Sequence, residues 1–348
     1  MESLTEKAYV RNLQLLSNLA GNEKNAENKW QKESGTVLIT SNLKSLESSN
    51  GQYAFCMSLN LLCRLYPIIT KIGIVIPDSV QFSADIPLFP KGRIKQSVTD
   101  FIGRFQPDCT VELLKKVTED WDASLSIGPS ELQKDVVSIS SDGWIAYVSP
   151  TNSVINFSEN ANPIGAYASA CIGGMEIFKR ILLKKSNALI PKKSNYDIRW
   201  RLSFIQDSLS FSTLNYKVNC KAQNPGLTKQ LKLNNVHIVG VGAGGGAAAY
   251  TLASLPQLDG EMRLVDPDQV KPSNLNRCVF ATRQDCEKSK VNVLKTLLSK
   301  FPTLNVNTEQ VSFQQLAEKG KTANIDMLVS TVDTKETRRY LHNALRGI

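Results

Sequence analysis

The chain has 348 residues, a length that suggests two domains rather than one. Hydrophobic residues make up 42% of it and charged residues 21%, so it can bury sizeable cores and is not a disordered tail. The formal net charge is +9, but aromatic residues are not interleaved with the lysines, so we expect no nucleic-acid partner. No apolar run approaches the ~20 residues of a transmembrane helix, and we expect no membrane partner.

Cysteine and histidine usage excludes further classes of protein. The seven cysteines contain no Cys-x-x-Cys pair, and the N-terminus lacks the apolar core of a targeting segment. We therefore predict reduced cysteines and a cytoplasmic location. His237 and His342 are the only histidines, which disfavours a histidine-rich metal site and a Ser-His-Asp triad.

The first half of the chain alternates predicted strands with predicted helices. In chain order, the pattern predicts a helix at Ser3–Leu19, a strand at Thr36–Thr40, a helix at Tyr53–Leu65, a strand at Lys71–Ile76, a helix at Val111–Val117, strands at Ser124–Ile127 and Trp144–Val148, and a helix at Asn162–Leu183. This alternation predicts an α/β fold with mainly parallel sheets.

A second unit is predicted to begin near Leu233, after a polar linker that contains Asn224-Pro225-Gly226. Its predicted elements are strands at Val236–Val239, Met262–Val265, Val306–Val311 and Met327–Thr331, and helices at Gly244–Leu255 and Ser289–Phe301. We therefore expect two Rossmann-like units, residues 1–185 and 232–348, joined by connecting strands and a linker at 186–231.

A glycine-rich loop follows the first strand of the second unit. Gly240, Gly242 and Gly245 have GxGxxG spacing, and a helix of small residues follows them. Glycines allow a tight turn and let backbone amides approach phosphate oxygens at the helix N-terminus. Asp266 stands 21 positions after Gly245, where an acid can hold ribose hydroxyls. The pattern predicts an adenine-nucleotide site; glycines used only for close helix–sheet packing are the alternative.

The residues from Asp266 onward indicate which reaction the bound nucleotide takes part in. They comprise Asp266, Asp268, Val270, Ser273, Asn274, Leu275, Arg277 and Lys290, and later Asp333 with Arg338 five residues on. In this order they resemble the motifs of the ThiF/MoeB and ubiquitin-activating adenylyltransferase family. The resemblance implies ATP-dependent adenylation of the C-terminal carboxylate of a ubiquitin-like or sulfur-carrier protein, with release of pyrophosphate.

The resemblance also implies a role for each motif residue. Phosphates would be cradled by Gly240, Gly242 and Gly245, and the ribose would be held by Asp266. Asp268 is either a further cofactor-binding residue or the residue of an Asx turn. Asn274, Arg277 and Lys290 would contact the triphosphate, and Asp333 would bind Mg²⁺.

Two positions depart from the family pattern. Cys278 stands where the family usually has Gln after the arginine. Glu287 stands where it usually has Gly before the lysine segment, which puts an acid near the triphosphate.

The first half resembles the inactive adenylation-like copy of the ubiquitin-activating branch. Where a glycine loop should follow Thr36–Thr40, the chain reads SNLKSLESSNGQ, so no ATP site is expected there. An unrelated α/β domain is the alternative. The first helix carries Tyr9-Val10-Arg11-Asn12, similar to the family's Tyr-x-Arg-Gln. This implies that Arg11 reaches an ATP site as a catalytic residue, within a pseudo-dimer formed by one chain or within a homodimer.

Two other functions remain open. A non-catalytic scaffold that binds a carrier protein is compatible with Cys278 and Glu287. A nicotinamide-dependent oxidoreductase shares the glycine loop and its acid, but it does not account for Asn274 or Arg277.

The resemblance also suggests a biological setting. It implies a conjugation pathway, with a conjugating enzyme as a further partner and bacterial defence as one context. None of the cysteines matches the downstream cysteine of thioester-forming relatives. Because the family continues beyond the Asp333 motif, we expect a truncated chain whose second unit is incomplete at its C-terminus.

Overall fold

The computed structural model describes residues 4–19, 35–117, 120–132, 136–160, 162–189, 204–227 and 230–345. The chain divides into two compact units, Met1–Leu227 and Thr228–Ile348, here called the first and the second unit. Residues 190–203 and 228–229 of the predicted connecting segment lie outside the described residues. Among the described residues, no helix is long and apolar enough to cross a membrane.

The first unit is built on a large sheet covered by helices. Its strands are β1 (Gly35–Ser41), β2 (Ile69–Val75), β3 (Gln81–Phe82), β4 (Gly92–Arg93), β5 (Thr110–Leu114), β6 (Ala123–Ile127), β7 (Val136–Asp142), β8 (Ile145–Ser149) and β9 (Leu209–Ser212). Its helices are α1 (Leu4–Leu19), α2 (Leu43–Glu47), α3 (Ser49–Leu62), α4 (Ile94–Phe105) and α5 (Ile164–Leu189).

Seven of these strands form one sheet in the order β5-β2-β1-β6-β7-β8-β9. The strands from β5 to β7 are parallel, whereas β8 and β9 are antiparallel to their neighbours. Every residue of β6 is buried, and α3 is buried along almost its whole length. This central strand is therefore buried on both faces, as is usual in a parallel sheet, although it also carries the buried polar residues Ser124 and Ser126.

The predicted helix at Val111–Val117 is wrong. Residues Thr110–Leu114 form strand β5, which pairs in parallel with β2 and places Val111 opposite Ile72. A five-residue segment is too short for its periodicity to separate a strand from a helix. The neighbouring strand therefore decides its structure.

The second unit carries a four-stranded parallel sheet. Its strands are β10 (Leu231–Val239), β11 (Leu258–Val265), β12 (Leu304–Glu309) and β13 (Met327–Ser330), and its helices are α6 (Ala243–Leu252), α7 (Lys290–Leu298), α8 (Phe313–Glu318) and α9 (Lys335–Leu345). The strand order is β12-β11-β10-β13, with all pairs parallel. Val239, Val265, Phe313, Leu316 and Leu341 form a buried apolar cluster in this unit.

The topology of the second unit determines where a ligand can bind. Strands β11 and β12 lie on one side of β10, and β13 lies on the other side. In open parallel sheets, ligands bind at the carboxyl ends of the strands where the order reverses, which here is between β10 and β13. The predicted α/β fold with mainly parallel sheets and Rossmann-like units is confirmed.

Candidate functional site

The glycine loop connects β10 to α6 at the carboxyl edge of the second sheet. Gly240 has a φ of +84°, a conformation that favours glycine. A Cβ atom at Gly245 would lie 2.1 Å from the carbonyl oxygen of Gly240, and one at Gly246 would lie 2.2 Å from the ring of Phe280. Glycine is therefore required at Gly240 for the turn and at Gly245 and Gly246 for close packing.

Several amides of the loop have hydrogen-bond acceptors within the protein. The Gly240 N–H donates to the Val265 carbonyl at 2.8 Å, and the Gly245 N–H donates to Thr331 Oγ1 at 3.1 Å. By contrast, the amides of residues 242–244 make no hydrogen bond among the described residues. They lie in the first turn of α6, where N–H groups have no partner in the helix and the helix dipole favours negative charge.

Asp266 follows β11 directly and stabilises the loop from the side. Its Oδ2 accepts the Val241 N–H at 2.8 Å, and its Oδ1 accepts the Asp268 N–H at 2.8 Å. The residue is only 6% exposed, and this burial raises the pKa of its carboxyl, opposed by those amides and by Lys290. The Asx turn is therefore formed by Asp266, whereas the sequence offered Asp268 as its residue.

Lys290 joins the two acids. Its Nζ lies 2.8 Å from Asp268 Oδ2 and 3.7 Å from Asp266 Oδ1. The Lys290 side chain is 7% exposed and that of Asp268 is 55% exposed. The structure thus brings together three residues that the motif predicted, although 24 positions separate the first from the last. It leaves Asp268 as the acid that faces solvent.

Asn274 and Arg277 lie on one short turn after Asp268. Asn274 is buried and its Oδ1 accepts the Lys271 N–H at 3.0 Å, which closes the 3₁₀ turn Pro272–Asn274. Arg277 is half-buried and its Nη1 donates to the Ser273 carbonyl and to Asn276 Oδ1. The turn therefore fixes where the Arg277 guanidinium is held.

Asp333 lies at the carboxyl end of β13, close in sequence to a contact with the glycine loop. Strand β13 pairs with β10 so that Val239 lies opposite Ser330, and the Thr331 N–H donates to the Val239 carbonyl at 2.9 Å. The Asp333 side chain is exposed. Nearby, Arg338 donates its Nε–H to the Val332 carbonyl at 2.8 Å.

Thr331 is a residue of the site that the sequence motifs did not predict. Its hydroxyl accepts the Gly245 N–H and donates to the Gly240 carbonyl, so it spans the two ends of the glycine loop. Its position at the end of β13, two residues before Asp333, was the available signal. A threonine there fits strand propensity equally well, which is why its role was not evident.

The two departures from the family pattern have different settings. Cys278 is buried, with 1% of its surface exposed, and packs within the protein. Glu287 is exposed and has a φ of +72°, while its N–H donates to the Val270 carbonyl at 2.8 Å. This left-handed backbone explains a preference for glycine at the position, because any side chain is strained there.

Arg11 lies in the first unit, on helix α1. Tyr9 is buried against Tyr66 with ring centroids 5.2 Å apart, and Asn12 Nδ2 donates to the carbonyls of Arg64 at 3.0 Å and Tyr66 at 2.7 Å. Arg11 itself is exposed. Its predicted contact with an ATP site stays a prediction.

Mg²⁺ could be held at this site only if phosphate oxygens supplied part of its coordination shell. Among the described residues, no group of three or more His, Cys, Asp or Glu side chains could hold a metal ion. Mg²⁺ is usually held by one or two carboxylates, with phosphate oxygens and water completing its shell. The exposed carboxylate of Asp333 suits that arrangement.

Comparison with known proteins identifies the second unit. Residues 216–345 match the model of the ThiF family. These residues are similar to a ThiF-family domain. The resemblance predicted from the motifs is thereby confirmed.

Two curated proteins are similar to this chain. The protein y4jF of Sinorhizobium fredii, described as uncharacterized, is 27% identical over 315 residues, which are 90% of this chain and 54% of y4jF. The "Adenylyltransferase and sulfurtransferase uba4" of Ogataea parapolymorpha is 32% identical over 119 residues, 34% of this chain and 30% of Uba4. The chain thus spans about half of y4jF and under a third of Uba4.

Solved structures also resemble part of the chain. E. coli MccB with MccA-N7isoASN is 27% identical, with a TM-score of 0.28, and the match covers 33% of this chain and 32% of MccB. The E. coli tRNA N6-threonylcarbamoyladenosine dehydratase TcdA in complex with AMP is 22% identical, with a TM-score of 0.29. The match covers 32% of this chain and 46% of TcdA.

Proposed function

We propose that the protein uses ATP to adenylate a carboxylate at the glycine loop of its second unit. The observation that carries the proposal is the row of amides at residues 242–244, which have no acceptor among the described residues at the start of α6. Backbone amides at a helix N-terminus form a site for phosphate. The family of this domain and the name of Uba4 support adenylation in particular.

The surrounding residues suit a bound triphosphate. Phosphate oxygens would accept the 242–244 amides, and the solvent-facing Asp268 would reach the ribose while Asp266 holds the loop. Lys290 and Arg277 would neutralise the departing pyrophosphate, with Asn274 shaping the turn. Mg²⁺ bound at Asp333 would supply further charge neutralisation to the phosphates.

The chemical work in this reaction is positioning. A carboxylate oxygen attacks the α-phosphorus, the bond between the α-phosphorus and its bridging oxygen breaks, and pyrophosphate leaves with the electron pair. The protein contributes by holding the two reactants in line and by stabilising charge on the leaving group. Lys290 is held in place for this role by its ion pairs with the two neighbouring carboxylates, Asp266 and Asp268.

The substrate proposed for this site is the C-terminal carboxylate of a ubiquitin-like or sulfur-carrier protein. The name of Uba4 combines adenylyltransferase with sulfurtransferase, which favours a carrier that receives sulfur or is conjugated. A conjugating enzyme and a defence pathway belong to the same proposal. ATP–pyrophosphate exchange with a purified carrier tests it.

The first unit is proposed to be a degenerate copy of the same domain. Its strand order β5-β2-β1-β6 repeats the order β12-β11-β10-β13 of the second unit. After β1, however, helix α2 replaces a glycine loop, and Ser45 and Leu46 are fully buried there. Side chains therefore fill the space that phosphates occupy in an active unit, and we expect no ATP site in the first unit.

A matched pair of lysines makes the exchange test specific. Lys290→Ala should lower ATP–pyrophosphate exchange about 100-fold, as removal of one group that stabilises transition-state charge does. Lys288→Ala, at an exposed lysine paired with Asp285, should change exchange by less than about twofold. Carrier binding without exchange would instead support a non-catalytic scaffold. Binding of NADH in place of ATP would support an oxidoreductase.

A further inference from the structure

We propose that Thr331 is a positioning residue that fixes the glycine loop in the shape required for phosphate binding. Its hydroxyl is the only side-chain group among the described residues that bonds to both ends of the loop, accepting from the Gly245 N–H and donating to the Gly240 carbonyl. This inference rests on the proposed nucleotide function of the loop.

The contacts around Thr331 determine which amides remain for a ligand. Thr331 occupies the Gly245 N–H, Val265 accepts the Gly240 N–H, and Asp266 accepts the Val241 N–H. The amides of residues 242–244 are left between these fixed points. The hydroxyl thus directs a phosphate to the middle of the loop rather than to its ends.

The fit between Thr331 and the loop is close on both sides. A Cβ atom at Gly245 would lie 2.9 Å from Thr331 Oγ1, and one at Gly244 would lie 3.4 Å from Thr331 Cβ. The backbone of Thr331 is fixed as well, because its N–H donates to the Val239 carbonyl. A displacement of the strand end that carries Asp333 would therefore be transmitted to the loop.

Removal of the hydroxyl alone tests the inference. Thr331→Val keeps the shape and the β-branch of the side chain but cannot bond to either end of the loop, whereas Thr331→Ser keeps the hydroxyl. Thr308→Val is the matched control, because Thr308 lies on β12 of the same sheet and its hydroxyl makes no hydrogen bond among the described residues. The full chain is titrated with MgATP, and amide hydrogen exchange is measured without nucleotide.

The expected result distinguishes a positioning role of Thr331 from a general contribution to the stability of the second unit. Thr331→Val should weaken MgATP binding about tenfold, corresponding to ~1.4 kcal/mol. It should also speed amide exchange at residues 240–246 without changing exchange in β11 or β12. Thr331→Ser and Thr308→Val should bind MgATP within about twofold of the wild type, as expected where the hydroxyl bonds are kept or never existed.

Three results would overturn the inference. The first is unchanged MgATP binding and amide exchange in Thr331→Val. The second is weakened MgATP binding in Thr331→Ser. The third is faster amide exchange throughout the second unit in Thr331→Val, which would indicate a purely structural role. If the wild-type chain did not bind MgATP, the proposed function would fail. The exchange measurement would still decide whether Thr331 holds the loop, because it requires no nucleotide.

Discussion

Adjacent glycines in the loop have different structural roles. Gly245 packs against the Gly240 carbonyl, whereas a Cβ atom at Gly244 would make only ordinary contacts with Thr331. Glycine in a helix costs stability relative to alanine unless close packing requires it. The loop thus contains one glycine fixed by packing next to one that packing does not require.

We predict opposite effects of alanine at these two neighbours. Gly245→Ala should lower the free energy of unfolding of the second unit by roughly 3 kcal/mol, as overpacking does. Gly244→Ala should leave it unchanged or raise it by about 0.5–1 kcal/mol through helix propensity. Denaturant titration of both variants measures the difference. Equal stability of the two would contradict the packing described here.

His237 is the buried histidine of the second unit. It lies on β10 with its Nε2 3.1 Å from Asn235 Oδ1 and with Arg263 opposite it on β11. Burial, with a smaller contribution from Arg263, lowers its pKa from 6.5 to about 4. The folded protein therefore holds this imidazole in its neutral form at neutral pH.

This lowered pKa predicts a pH dependence of stability. Below pH 6.5 the unfolded chain binds a proton at His237 that the folded chain does not bind until about pH 4. Stability should thus fall over that window, by up to about 3 kcal/mol from this group. His237→Gln should flatten the fall in a series of denaturant titrations, and His342→Gln, at the exposed histidine of α9, should not. An equal slope in the two variants would refute the assignment.

The sequence predicted the chemistry of the site better than its geometry. The order and spacing of Asp266, Asp268 and Lys290 resemble family motifs, and this was sufficient to assign the three residues to one site. Which acid is buried depends on hydrogen bonds to the Val241 and Asp268 amides, and on the pleat of β11. The bond to Val241 is a tertiary contact, so a pattern of residue types alone does not distinguish one strand-end acid from the next.

At the level of elements, helix α1 presents two faces. Tyr9 and Asn12 attach it to the segment after α3, while Arg11 is exposed. Since these residues are near neighbours in sequence, they allow docking of the helix to be separated from any role of Arg11 in catalysis.

We predict that Asn12→Ala lowers the stability of the first unit by about 1–2 kcal/mol, because the carbonyls of Arg64 and Tyr66 lose their donor. Arg11→Ala should leave that stability within about 0.5 kcal/mol, as is usual for an exposed side chain. Thermal or denaturant unfolding checks both values. Separately, Arg11→Ala should reduce ATP–pyrophosphate exchange, and unchanged exchange would remove Arg11 from the site.

Strand β5 illustrates where element prediction fails. Its sequence, TVELL, has half-exposed and exposed residues, and only pairing with β2 makes it a strand. By contrast, β1 was predicted correctly because it contains the continuous apolar run of residues 37–39. A short segment without such a run, as in β5, leaves no clear signal in the sequence, and its pairing decides its structure.

At the scale of the whole molecule, four strands of each unit share one order, and the connections after the first strands of the two units differ. The second unit has glycines and unbonded amides after its first strand, and the first unit has a short helix with buried side chains there. One difference in a connection thus accounts for the proposed division of the chain into a nucleotide-binding and a non-binding unit.

The most direct test of this account is calorimetric titration of the full chain with ATP, with and without Mg²⁺. We predict saturable binding that Asp333→Asn weakens about tenfold in Mg²⁺ and much less in its absence, because the carboxylate acts through the metal. Asp326→Asn, an exposed acid at the other end of β13, should bind ATP as the wild type does. Absence of saturable ATP binding, or equal binding by both variants in Mg²⁺, would contradict the account.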